Sequence, residues 1–259
     1  MKPADLEAII LCGGQGTRLR EETEFKPKPM VEIGGRPILW HIMRRYHRFG
    51  VRRFVLCLGY KGEVIRDYFL NYRLRQGDVT VKLRSSDVQL HGDIAEDWEV
   101  VLAETGDTAM TGARIKRALK HLKGDHFFAA YGDGVSDIDL GKLLAAHEQG
   151  GRLVTVTAVH PSSRYGEIDL VHGAVRTFSE KPQVNDGWIN GGFFVFARSA
   201  FDRISDEPGV VLETDLLPQL AEQEQLSAYQ HNGFWQCLDT YREMLLLNQI
   251  WERGQAPWL

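Results

Sequence analysis

The apolar run from Leu6 to Cys12 breaks off in Gly13-Gly14-Gln15-Gly16-Thr17-Arg18, and Lys26-Pro27-Lys28-Pro29 follows shortly after. A short apolar run bounded by turn residues reads as a buried strand. Glycine accepts positive φ and lets another molecule approach the backbone, because no Cβ intervenes. Successive N–H groups in such a turn converge on an anion. Arg18, Lys26 and Lys28 add fixed positive charge, and a guanidinium is shaped to fork onto phosphate. Together these residues compose a polyphosphate site at the end of a strand. A bare Gly-Gly-x-Gly would equally suit a strand-to-loop turn without a ligand; Thr17, Arg18 and the paired lysines tilt the reading towards phosphate.

Two familiar glycine loops do not fit. The kinase and ATPase loop needs Lys-Ser/Thr directly after its last glycine and a helix beyond. Here Thr17-Arg18-Leu19 follows, and the lysines are tied to prolines that oppose helix continuation. The dinucleotide fingerprint needs G-x-G-x-x-G with an acid about 20 residues further on. Gly14-Gln15-Gly16 supplies only its first half.

At 259 residues the chain can bury a substantial core. Its 31 basic and 35 acidic residues leave a net charge of −4, which argues against a nucleic-acid partner because that needs a basic face. The cysteines at 12, 57 and 237 form no C-x-x-C pair, and Cys12 and Cys57 sit in apolar runs, so reduced, structural thiols are expected. No apolar stretch approaches the roughly 20 residues that span a bilayer. The N-terminus carries no signal-peptide core, so a cytoplasmic protein without a membrane partner is expected.

Strand-like and helix-like stretches alternate through the first two-thirds. Pro37 suits a helix start, and Ile38–Phe49 follows with helical spacing. Strands are expected at 53–58, 79–83 and 126–131, and helices at 61–72, 111–122 and 139–147, with Thr111 a candidate cap. Residues 85–97 show no clear periodicity. This rhythm predicts an α/β fold: a mostly parallel, Rossmann-like three-layer sheet with helices on both faces and ligands at the carboxyl ends of its strands. From Leu153 the strands shorten (154–160, 167–171, 174–178 and 192–196), which predicts a smaller antiparallel or mixed section laid over the sheet. Residues 213–222 and 241–251 read as closing helices. One unit over 1–259 is expected, with about 1–150 forming a nucleotide-binding part and about 151–259 a sugar-binding and closing part.

Several residues carry two readings. Asp133, in Tyr131-Gly132-Asp133-Gly134, either forms a common Asp-Gly turn or ligates Mg²⁺, which takes oxygen ligands and shares them with phosphates. Asp239 reads locally as a helix N-cap. Glu180-Lys181-Pro182 reads as a solvated turn, or as a carboxylate and ammonium that hold a sugar and its phosphate. Asn190 supports a turn or faces the same acceptor. Gly112 and Arg114, at a helix start, receive an anion or a base edge; otherwise Arg114 is a surface side chain.

Taken together, these residues resemble the sugar-phosphate nucleotidyltransferases. The glycine loop, the lysine-proline segment, Asp133, Glu180-Lys181-Pro182 and Asn190-Gly191 fall in that family's order. The wording of Lys26–Gly35, Pro37–Met43, Thr105–Gly112, Ile189–Phe194 and Gly233–Gln236 is nearest to its cytidylyl-transferring members. The resemblance implies that Leu11, Cys12, Gly13, Gly14, Gln15, Gly16, Thr17 and Arg18 wrap the triphosphate, with Lys28 on its phosphates. It further implies that Ala109, Thr111, Gly112, Arg114 and Gly134 approach the nucleotide, and that Asp133 and Asp239 hold Mg²⁺. Gly166, Glu180, Lys181 and Asn190 would hold the sugar phosphate. Arg18, Lys28 and Asp133 become the expected catalytic residues, CTP and a sugar 1-phosphate the expected substrates, and a homo-oligomer the expected assembly. Ala113 and Cys237 depart from the family wording, and Arg164–Ile168 is closer to thymidylyl- and guanylyl-transferring relatives. Another nucleotide (dTTP or UTP), another phosphorylated acceptor, or a nucleotide sensor without turnover are the alternatives. A nicotinamide dehydrogenase is opposed by the incomplete fingerprint.

Overall fold

Successive residues of a strand face opposite sides of its sheet, and that alternation divides the interior here. In β1 (Glu7–Leu11), Ala8 and Ile10 enter one apolar cluster and Ile9 another. The computed structural model describes residues 1–2, 5–92, 96–161, 167–171, 174–179 and 187–259. Its central sheet also contains β2 (Arg53–Leu58), β3 (Glu99–Glu104), β4 (His126–Tyr131), β5 (Val154–Val159), β6 (Ile189–Ala197) and β7 (Leu226–His231), in the order β7-β5-β6-β4-β1-β2-β3. Strand β1 lies between β2 and β4, parallel to both, with Leu11 opposite Cys57 and Tyr131. Strand β3 extends this parallel block, and β6 is antiparallel to both β4 and β5.

The same alternation repeats in β4 and β6. Phe128, Ala130, Phe193 and Val195 face one layer, and Phe127, Ala129, Phe194 and Phe196 face the other. Helices α1 (Ile38–Phe49) and α2 (Gly62–Leu70) cover the first face, with α4 (Leu140–Gly150) and α6 (Tyr241–Glu252); α3 (Thr111–Ala118) and α5 (Leu217–Glu222) cover the second. Helix α1 shows why these segments are helical. Its buried residues Ile38, Leu39, Ile42, Met43 and Tyr46 make one apolar stripe, and Gly50, at φ 121°, ends it. The mostly parallel three-layer architecture follows from the β-then-α rhythm. Cys12 and Cys57 are free and fully buried. No helix among the described residues is long and apolar enough to cross a membrane.

The mixed section after Leu153 is present, but it sits elsewhere than expected. Strands β5, β6 and β7 are not laid over the sheet; they extend it, because β6 carries apolar residues for both faces and can enter the middle layer. The pair Glu167–Val171 and Ala174–Ser179 stands as a separate antiparallel hairpin. The aperiodic stretch 85–97 contains a strand, Asp87–Leu90, paired with Val79–Lys82 in an exposed hairpin. Its solvated faces leave no burial pattern to read. Helix α2 is shorter than 61–72, and α3 passes at Leu119–His121 into a 3₁₀ turn.

The C-terminus is tied to the core through His41, which is fully buried in α1. Its Nδ1 accepts the indole N–H of Trp258 at 3.2 Å, so the ring proton sits on Nε2, which donates to the Ile33 carbonyl at 2.9 Å. That pairing needs a neutral ring, and burial pushes its pKa down from 6.5 to about 4, against the pull of the Ile33 hydrogen bond. A histidine depressed in the fold gives stability that is present above pH 6.5 and lost as pH falls towards the folded value. From pH 7 to pH 5 this loss should be about 2 kcal/mol. Urea unfolding at the two pH values measures it. His41→Gln should be less stable at pH 7 yet lose less by roughly that amount; an identical pH dependence in both proteins would sink the assignment.

Candidate active site

The loop after β1 is shaped from below by one side chain. Arg114 of α3 is buried, and its guanidinium donates to the carbonyls of Gly13 (3.0 Å), Leu58 (2.9 Å), Gly106 (2.8 Å) and Asp107 (3.2 Å), and to the Thr105 hydroxyl at 2.9 Å. These acceptors lie at the ends of β1, β2 and β3. A Cβ on Gly13 would stand 2.2 Å from the guanidinium, so residue 13 must be glycine for Arg114 to reach across. Arg114 is therefore not a surface side chain: both of its terminal nitrogens donate to the protein. Gly16 turns the loop at φ 62°, and the Thr23 hydroxyl holds its carbonyl at 3.1 Å. Among the described residues, the N–H groups of residues 13–16 have no protein acceptor.

Lys28 opens a 3₁₀ turn, Lys28–Met30, between Pro27 and Pro29. Its buried ammonium donates to Asp133 at 2.6 Å and also to Asp239, and Arg18 donates to the other oxygen of Asp239 at 2.6 Å. Residues 133 and 239 meet through a small antiparallel pair, Gly134–Ser136 with Trp235–Cys237, in which Gly134 faces Cys237. Leu238 also donates to the Asp133 carbonyl at 2.8 Å. Asp239 does not cap α6. Thr240 is the cap, completing a capping box with Glu243, whose carboxylate also takes the Asp239 N–H at 2.7 Å. Burial lowers the Lys28 ammonium less than Asp133 and the two carboxylate hydrogen bonds raise it, so its pKa is pushed up to about 12. Burial likewise opposes Asp239, but Lys28 and Arg18 hold its carboxyl below the usual value.

Carboxylate oxygens of Asp133 and Asp239 and the Cys237 sulfur lie within 4.8 Å of one another. Two carboxylates converging on one ammonium already form a cation site, and their oxygens suit a hard ion such as Mg²⁺, whereas the thiol does not. Burial, then Asp133, pushes the Cys237 thiol up, so it stays protonated.

Residues 11–18, Lys28, Ala109, Thr111, Arg114, Asp133 and Asn190 line one cavity of about 780 Å³. Gly112 and Gly134 are buried and do not line it. Gly166, Glu180 and Lys181 lie outside the described residues. Glu213, read from sequence only as part of a closing helix, also reaches the cavity. It sits in a π-helical segment, Leu212–Leu216, accepts from the Tyr131 hydroxyl, and accepts from Thr111 at 2.7 Å. Asn190 donates to the same Tyr131 hydroxyl at 2.9 Å. Thr111 does not cap α3; it accepts the Leu212 N–H at 2.9 Å and so ties α3 to this segment. A π bulge cannot be read from residue spacing, which is why Glu213 escaped notice.

A glycine loop at the end of a parallel strand, facing two carboxylates and two cations, defines an enzyme site for phosphate chains. The chain belongs to the nucleotidyl transferase family, whose family model matches residues 7–250. It is 47% identical over 254 residues to glucose-1-phosphate cytidylyltransferase of Salmonella typhi, covering 98% of each chain. It is 41% identical to probable glucose-1-phosphate cytidylyltransferase of Bacillus subtilis (strain 168), covering 98% of this chain and 99% of that one. Among solved structures, HddC from Yersinia pseudotuberculosis complexed with GMP-PN shares the fold, with a TM-score of 0.70, 23% identity and coverage of 95% and 99%. The inositol-1-phosphate CTP transferase from T. maritima does so with a TM-score of 0.65, 16% identity and coverage of 97% and 98%.

Removing Arg114 would take a donor from the Gly13, Leu58, Gly106 and Asp107 carbonyls, of which Leu58 keeps the Thr105 hydroxyl and Gly106 the Ala109 N–H. Arg114→Ala should cost about 3 kcal/mol or more of unfolding free energy in urea. Arg114→Lys should recover only part, because an ammonium cannot fork across the same acceptors. A lysine variant as stable as the parent would show that the fork is dispensable.

Proposed function

We propose that the chain transfers a cytidylyl group from CTP to α-D-glucose 1-phosphate, giving CDP-glucose and pyrophosphate. The observation that carries this reading is the near full-length identity to glucose-1-phosphate cytidylyltransferases, in a chain whose loop, lysine and aspartates line or adjoin one cavity. An oxygen of the sugar phosphate attacks the α-phosphorus of CTP. A new P–O bond forms, the bond to the β-phosphate oxygen breaks, and pyrophosphate carries away the electron pair. A phosphate monoester is nucleophilic near neutral pH, so no catalytic base is required. The protein aligns attacker and leaving group and stabilises the charge developing between them.

In this reading the N–H groups of residues 13–16 hold the triphosphate, and Arg18 and Lys28 neutralise its oxygens. Asp133 and Asp239 would hold Mg²⁺, which when bound supplies further charge neutralisation on the phosphates. Thr111 orders the nucleotide side of the cavity, while Asn190, Tyr131 and Glu213 form a hydrogen-bonded wall suited to sugar hydroxyls. Glu180, Lys181 and Gly166 complete the acceptor side on the resemblance alone. The same resemblance supports a homo-oligomer, which sedimentation would test.

Pyrophosphate release, measured across CTP, UTP, dTTP and GTP with several sugar 1-phosphates, tests the assignment. CTP with glucose 1-phosphate should give the highest kcat/KM; preference for another pair would replace it. Lys28→Ala and Asp133→Asn should each lower turnover at least about 100-fold, the usual cost of one key electrostatic contact. Near-normal turnover in either would remove that residue from the mechanism.

A further inference from the structure

Lys28 has two sets of partners and one ammonium. The structure places that ammonium on the oxygens of Asp133 and Asp239, the same oxygens that would hold a divalent cation, while the lysine also lines the cavity of the phosphate loop. Arg18 is in the same position, paired to Asp239. Two cations and two carboxylates thus balance each other. The Lys28 side chain is only 9% exposed and that of Asp239 14%, so an unbalanced charge here costs more than it would in open water. Pro27 and Pro29 flank Lys28, so any change of partner falls to its flexible four-carbon stem rather than to the backbone.

We infer that Lys28 is a resident counter-ion that trades partners, so that divalent cation and nucleoside triphosphate bind with strong positive coupling and each alone binds poorly. A divalent cation arriving alone must take oxygens already bound by an ammonium, placing like charges together. A triphosphate arriving alone must draw Lys28 and Arg18 off Asp133 and Asp239, and its own anions then face two unpaired carboxylates. When both arrive, the cation takes the carboxylates, the triphosphate takes Lys28 and Arg18, and every charge is again paired. Coupling of this kind is reciprocal. The inference rests on the reading of Asp133 and Asp239 as the cation-holding pair.

Mn²⁺, followed by its electron paramagnetic resonance, serves as the probe in the full chain, with and without α,β-methylene CTP. The Mn²⁺ held by the analogue in solution is subtracted. The analogue should tighten Mn²⁺ about tenfold or more, within the usual range of coupled sites. Lys28→Met, which keeps the apolar stem and removes the charge, should bind Mn²⁺ about tenfold tighter than the parent without nucleotide and show a much smaller effect of the analogue. Mn²⁺ affinity in the parent that ignores the analogue, or a Lys28→Met protein that binds Mn²⁺ no tighter, would overturn the inference. Should that variant fail to fold, the parent decides alone: the analogue measured in EDTA and in Mn²⁺ must show the same tightening factor. Asp239→Asn separates the two readings. Loss of Mn²⁺ binding there upholds the cation pair, whereas unchanged binding would remove the pair itself, whatever Lys28 does.

Discussion

One buried guanidinium holds the ligand-facing edge of the sheet in shape. Parallel strands end with their last carbonyls side by side, and β1, β2 and β3 do so here with glycines at 13, 59 and 106 just beyond. Arg114 reaches in from α3 and donates to the carbonyl of Leu58 at the end of β2 and to those of Gly13 and Gly106 just past β1 and β3. Only arginine offers enough N–H groups in a planar fork for this task. With its carbonyl side anchored, the loop after β1 can leave the N–H groups of residues 13–16 without protein acceptors. Desolvation depresses the Arg114 pKa, an expense that the surrounding carbonyls offset. The glycines at 13 and 59 are consequences of the same contact, since a Cβ at either would meet the guanidinium at 2.2 or 2.3 Å.

A second long-range contact brings the two acids of the site together. The strand pair Gly134–Ser136 with Trp235–Cys237 brings together two aspartates that are 106 positions apart. The capping box of α6 then matters for a reason unrelated to helix stability. Because Thr240 and Glu243 satisfy the helix start, the Asp239 carboxylate is released from that duty and faces Lys28 and Arg18. Charge is balanced inside the protein, and ligand binding has to rearrange that balance rather than add to it.

Much of this was legible in the residues. Buried strands such as Arg53–Leu58 and His126–Tyr131 announce themselves by unbroken apolar runs, and α1 by its 3.6-residue stripe, because burial on both faces or on one leaves a direct mark on composition. The glycine loop and Lys28 were visible for a similar reason: close approach and fixed charge demand particular residue types. The exposed hairpin at 79–90 was half missed because solvent imposes no pattern. Thr111 looked like a cap and is instead a tie to Leu212 and Glu213, a role that depends on a partner about 100 positions away.

Residue type and spacing were sufficient for the alternating α/β rhythm, the parallel sheet and the glycine turn after β1, since each is dictated by local sterics and by one element's own burial. Which strand lies beside which was settled elsewhere. The insertion of antiparallel β6 beside β4, the burial of Arg114 beneath the loop, the entry of Glu213 and the meeting of Asp133 with Asp239 all arise from sheet register and packing between distant segments. These are pair properties. They depend on how two surfaces fit, and no single stretch of chain carries that information.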